Sequence, residues 1–207
     1  EIGRVGERIV EMFDKVLPAV LTGSKDNLQE IIDIDDQVDA LYGHVVLFLG
    51  KLSKTNLTDK QAEELTFLLQ TVDRFENMGD IMESNMVLVG YHRIEEEIVV
   101  SKSTMKIIRE YHQQVARALQ DTVEVVAHED VDAIKRVRGT KGLIASLTME
   151  TAQHGIERLT ADAPNRLKTY AREREIIEHM DRIYRLCRRI TGSAPIQPTE
   201  AELPENT

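Results

Sequence analysis

The chain has 207 residues, 42% hydrophobic but only 4% aromatic, with a single cysteine and a net charge of −10. Such a length supports one large domain or two small ones with enough core to fold unaided. The lone Cys187 excludes an internal disulfide framework and makes a reduced cytoplasm the default compartment, while the acidic balance argues against non-specific nucleic-acid binding. The charge is also split: residues 1–100 carry 20 acidic against 9 basic side chains, and residues 101–191 carry 13 against 17.

Ile2, Val5, Ile9, Met12, Phe13, Val16, Leu17 and Val20 step by threes and fours, which predicts a first helix over 2–22, with Pro18 a weak point and Gly23 a stop. The opening at Glu1 inside this pattern reads as the start of a segment cut from a longer protein or as what is left by a trimmed tag. Ser24 is the expected N-cap of a second helix reaching Leu52. Thr58 or Asp59 caps a third that runs to about Ile94, and the short connection between the two forces them antiparallel.

After a break at Glu95-Glu96-Glu97, Ser101 or Ser103 starts a fourth helix carrying Met105, Ile108, Tyr111, Val115, Leu119, Thr122 and Val126. His128-Glu129-Asp130 is its turn. A fifth helix is expected from about Val131 to Leu159, and a sixth opens at Asp162-Ala163-Pro164 and ends before Gly192. Residues 193–207, with Pro195, Pro198 and Pro204 and no apolar stripe, read as a disordered acidic tail. No run of apolar residues is long enough to span a membrane, and no signal peptide is evident.

The expected fold class is therefore all-α, six antiparallel helices arranged as two tandem three-helix bundles, residues 1–100 and 101–192. A shift of 106 residues lays Asp26, Leu28, Ile31 and Val38 on Asp132, Ile134, Val137 and Ile144, as an internal duplication would.

One stretch of the second helix breaks its own pattern. The buried stripe runs Leu28, Ile31, Asp35, Val38, Tyr42, Val45, Leu49, so a carboxylate occupies a position reserved for an apolar side chain, with Asp39 one turn on. In the third helix Gly79 falls in the stripe and Glu76 and Asp80 sit beside it. A carboxylate in such a seam must be neutral, paired or bound to a cation. Asp35, Asp39, Glu76 and Asp80 are thus candidate ligands, with Asp36 and Glu83 as extras, and oxygen-only donors suit hard cations. Two other readings stand beside this one: a solvated face paired with Arg74, Lys51 and Lys54, or a proton shared between carboxylates. Under the 106-residue shift Asp35 becomes Lys141 and Asp39 becomes Ala145, so the second copy has lost its acids.

Paired Asp/Glu-x-x-x-Asp motifs on consecutive long helices, here Asp35-Asp36-Gln37-Val38-Asp39 and Glu76-Asn77-Met78-Gly79-Asp80, make the chain resemble the PhoU family of phosphate-transport regulators over about residues 5–191. The resemblance implies a regulatory protein, and no nucleophile with a nearby base can be assembled from the sequence, so no catalytic activity is expected. The resemblance also implies that Asp35, Asp39, Glu76 and Asp80 hold a divalent or trivalent metal such as iron, zinc, magnesium or manganese. Its implied partners are the membrane domain of a transporter or phosphate-signalling proteins, with a homodimer as a further expectation. The chain would lie next to the membrane without crossing it, as the cytoplasmic portion of a sodium-phosphate cotransporter or as a separate uptake regulator. Three features depart from the family pattern: the second copy lacks its carboxylates, the chain opens mid-helix, and Ser84 stands where the family has Asn.

Two other function classes fit a helical bundle. A carboxylate-bridged di-iron oxidase needs Glu-x-x-His pairs, whereas Glu150 and Glu175 are followed by His154 and His179 at a spacing of four. A non-catalytic helical adaptor would use the oppositely charged halves for association. Arg136-Val137-Arg138-Gly139-Thr140-Lys141-Gly142 lacks phosphate-loop spacing, and its glycines are expected to let a neighbouring helix approach. Arg182, Arg185, Arg188 and Arg189 on the last helix are candidates for contact with anionic headgroups. Met78, Met82, Met86 and Cys187 read as core, and His112, His128, His154 and His179 as surface or capping residues.

Overall fold

The computed structural model describes residues 1–159 and 166–196. Its elements are α1 (Ile2–Thr22), α2 (Lys25–Leu52), α3 (Asp59–Asp80), a π-helical segment (Ile81–Met86), α4 (Val87–Glu95), α5 (Lys102–His128), α6 (Val131–Gly139), α7 (Lys141–Leu159) and α8 (Arg166–Ser193). Among the described residues these form six helical rods and no strand, since α3 runs through the π-helical segment into α4 without leaving its course, and α6 and α7 meet at Thr140. The all-α architecture expected from the sequence is the one observed.

The helix starts arise from short polar side chains. Ser24 accepts from the backbone N–H of Asn27, whose side chain in turn caps Ser24, and Thr58 and Gln61 repeat this reciprocal arrangement at the head of α3. Ser101 caps α5 through the Thr104 N–H, and Asp130 caps α6 through the N–H groups of Asp132 and Ala133. The first helix passes through Pro18 and stops at Gly23, where a Cβ would collide with the backbone of Ala19.

Two interruptions depart from the continuous helices expected. The rod predicted from Val131 to Leu159 breaks at Thr140, whose hydroxyl donates to the Val137 carbonyl at 2.8 Å, just after Gly139 has weakened the helix. Gly139 itself faces open space, so it does not serve the close helix approach expected of it. The third rod carries its π-helical segment immediately after Asp80. Such a segment inserts a residue into the turn and rotates the downstream side chains about the helix axis.

The first three rods pack on one another, α5 packs on α6, α7 and α8, and the two sets meet where α1 lies along α5 and α3 along α8. Gly3 faces Ala127, Gly6 faces Val123 and Phe13 stacks on His112, so α1 and α5 run antiparallel. One core crosses this junction, from Ile9, Phe13 and Val72 to Tyr111, Val115, Ile183 and Cys187. His112, expected at the surface, belongs to this core: its ring lies 4.4 Å from that of Phe13, Nε2 is 2.8 Å from the Phe13 carbonyl oxygen, and burial pulls its pKa down. His154 is 3.2 Å from the Thr104 hydroxyl, and His179 Nδ1 is buried without a hydrogen bond among the described residues.

The start predicted at Asp162-Ala163-Pro164 lies outside the described residues, as does most of the stretch 193–207. Ala194, at the head of that stretch, is buried against Val125, Ala133 and Ile134 rather than free in solvent. No described helix is long and apolar enough to cross a membrane.

Candidate functional site

The acidic site lies between α2 and α3, which are pinned side by side where the Tyr42 hydroxyl donates to Asp73 at 3.1 Å. Asp35 occupies the buried stripe of α2 with Leu28, Ile31 and Val38 and is only 7% exposed. It fits there because Gly79 of α3 is bare: a Cβ at Gly79 would collide with Asp35 Oδ1. Around this buried group, Glu76 and Glu83 are half-buried and Asp39 and Asp80 are exposed.

No hydrogen bond or ion pair reaches Asp35, Asp39, Glu76 or Asp80 among the described residues, although Glu83 accepts from the Ser84 hydroxyl at 2.6 Å. Arg74, the expected counter-charge, turns away to donate to Ser193 Oγ at 3.0 Å and Gln70 Oε1 at 3.1 Å. Lys51 and Lys54 stand exposed, and neither forms an ion pair with these acids. The salt-bridged face is therefore not what the chain builds.

Uncompensated charge in a half-dry seam raises proton affinity. Burial, together with the charges of Asp39, Glu83, Asp80 and Glu76, pushes the Asp35 pKa up to about 7. Asp39 is raised by burial and then by Asp80, Asp36 and Glu83; Glu76 is raised by burial and then by Asp80, Asp39 and Asp73. The four predicted residues thus lie within reach of one another's charge. Yet they form a shared field and not a finished cage, for among the described residues no group of three or more His, Cys, Asp or Glu side chains is arranged to hold a metal ion. The donor chemistry fits a hard cation at Asp35; the present rim conformation does not close around one.

Residues 2–86 match the family model of the PhoU domain. The chain is PhoU-like. It is 20% identical over 199 residues to the "Putative inorganic phosphate export protein YjbB" of Escherichia coli (strain K12), covering 96% of this chain and 36% of that protein. The protein of the same description from Salmonella typhimurium is 20% identical over 202 residues, covering 98% of this chain and 37% of its own length. The chain thus spans little more than a third of these curated relatives. Its fold is that of the crystal structure of PhoU from Pseudomonas aeruginosa, with a TM-score of 0.83 at 15% identity over 93% of this chain and 91% of that one.

Within this PhoU-like fold the two sets of helices carry different chemistry. The acidic field belongs to α2, α3 and the π-helical segment. Between α5, α7 and α8 lies instead a cleft of about 300 Å³ with Ile108, Ala152 and Ile177 among its walls. Two contributors to the acidic field were less legible in the sequence. Asp73 acts through Glu76, one turn away, and the pull of Glu83 on Asp35 and Asp39 depends on the π-helical segment that carries it.

Proposed function

We infer that this chain is a regulatory, non-catalytic part of a phosphate-transport protein, placed on the cytoplasmic side of a membrane domain of the sodium-phosphate cotransporter or exporter type. The similarity to putative phosphate export proteins along almost the whole chain carries this reading. In it, Asp35, Asp39, Glu76 and Asp80 form the responsive element. A bound hard cation such as magnesium, manganese or iron supplies positive charge that offsets their mutual repulsion.

The chain's own residues do the rest. Asp35 provides a buried oxygen held beside Gly79, and the exposed Asp39 and Asp80 turn inward from the rim. Glu76 ties the response to α3, whose course continues through the π-helical segment into α4. Tightening the α2–α3 contact in one state and loosening it in the other biases contacts along α1, which packs on both.

The test is phosphate flux in cells expressing the complete gene product, wild type beside Asp35→Asn with Glu76→Gln. The expected result is a changed dependence of flux on phosphate supply at equal protein level. Identical flux curves would overturn the regulatory assignment.

A further inference from the structure

A second charged feature runs along the α3–α8 seam. Arg74 of α3 lies opposite Ser193 of α8, and Asn85 of the π-helical segment lies opposite Arg182, so the two rods pass antiparallel with their polar edges meeting. Three cations share this edge, and among the described residues none of them has a carboxylate within ion-pair distance. Arg74 donates to the neutral oxygens of Gln70 and Ser193, Arg182 donates to Asn85 Oδ1 at 3.2 Å, and the Arg189 guanidinium meets no side-chain partner among the described residues. Their neighbour Arg185 is the contrast, being paired with Asp181.

The chain has 36 acidic and 26 basic side chains, yet the cations of this edge meet neutral oxygens or no side chain among the described residues. Here Arg74 is half-buried, and its pKa is lowered first by burial and then by the charge of Arg189, with only Asp73 opposing. Asp73 is itself exposed and accepts from the Tyr42 hydroxyl. The Ser193 hydroxyl that Arg74 reaches donates in turn to the Arg189 carbonyl at 2.8 Å, so Arg189 stands one turn away on the same edge. Two such guanidinium groups, one of them partly desolvated and both with unspent N–H donors, have the chemistry of a site for a phosphate-class oxyanion. Guanidinium forks match phosphate geometry, and an anion between them turns the repulsion into two charge-assisted sets of hydrogen bonds.

We propose that Arg74 and Arg189, with Arg182 further along the seam, bind a phosphate-class oxyanion between α3 and α8. The same chemistry is offered by free inorganic phosphate and by the phosphodiester of an anionic lipid headgroup. The site adjoins the acidic field through Asp73, whose charge acts on both Arg74 and Glu76, but its own side chains are cations. It deepens the regulatory reading by giving phosphate a direct point of contact, but its test does not depend on transport.

The purified chain is titrated with inorganic phosphate by calorimetry, against chloride at equal ionic strength. In parallel it is sedimented with vesicles of phosphatidylglycerol in phosphatidylcholine and with phosphatidylcholine alone. Arg189→Gln is the informative variant because Arg189 is exposed and its loss leaves the core intact; Arg74→Lys keeps the charge but removes the fork. Saturable phosphate binding, weakened at least tenfold in Arg189→Gln and also weakened in Arg74→Lys, supports the site with free phosphate as ligand. Sedimentation with the anionic vesicles alone, lost in Arg189→Gln without phosphate binding, supports it with the headgroup as ligand. Binding to neither, or binding that Arg189→Gln retains in full, overturns it. Phosphate binding together with flux insensitive to the acidic-site variants would leave this site standing and remove the regulatory reading.

Discussion

Gly79 and Asp35 are complementary in shape: the glycine of α3 leaves a space, and the carboxylate oxygen of α2 occupies it. Because the colliding atom would belong to a buried side chain, Gly79→Ala must push Asp35 or α2 aside. Overpacking of this kind costs about 1–3 kcal/mol, against which the better helix propensity of alanine returns about 1 kcal/mol. Urea denaturation should show net destabilisation, and Asp35→Ala in the same chain should recover much of it. Simple additivity of the two changes would mean that the pair is not coupled.

The raised pKa of Asp35, about 7 when folded against about 4 when unfolded, makes stability depend on pH. Between these values the unfolded chain has released its proton while the folded chain still holds it, so stability falls as pH rises from about 4 to about 7. Asp39 and Glu76, raised in the same direction, add to the slope. For Asp35 the loss is on the order of 2–4 kcal/mol. Asp35→Asn should flatten the curve in that window, as measured by denaturation at a series of pH values in metal-free buffer.

A hard cation should act most strongly where the carboxylates are ionised. Manganese at about 100 times its Kd would stabilise the fold by about 2.7 kcal/mol, which for a chain of this size is a rise in Tm of roughly 5–10 °C. The rise should be larger at pH 8 than at pH 5.5 and should vanish in Asp35→Asn with Asp80→Asn. A shift that persists in the double variant would place the ion elsewhere.

The junction between the two sets of helices rests on Gly6, where an added Cβ would come within 2.7 Å of Val123 Cγ2 and 3.1 Å of the Phe75 ring. Gly6→Val should force α1 off α5 and α3 together and lower stability by at least 2 kcal/mol, roughly the upper range for overpacking. Gly43→Ala, at a position facing open space, is the control and should be neutral or slightly stabilising.

Helix positions, caps and the misplaced carboxylate were legible because they are local. A period of 3.6 residues assigns each side chain to a face without reference to the rest of the chain, and Ser24 and Thr58 cap groups only three residues away. The break at Thr140 and the π-helical segment after Asp80 were not legible, because each changes a few backbone hydrogen bonds while leaving the apolar spacing almost intact. His112 was misplaced for a related reason: a lone histidine carries no sign that an aromatic ring from a distant helix will cover it.

The amino-acid order alone thus determined that the chain is helical and that Asp35 stands among apolar neighbours. Tertiary packing decided what that acid meets. Arg74 is two residues from Glu76 along the chain, yet it is drawn to Ser193, 119 residues away, and the acids are left without a counter-charge. Which oxygen a long, flexible guanidinium finds depends on which helix lies beside it, and helical periodicity carries no information about the neighbouring rod.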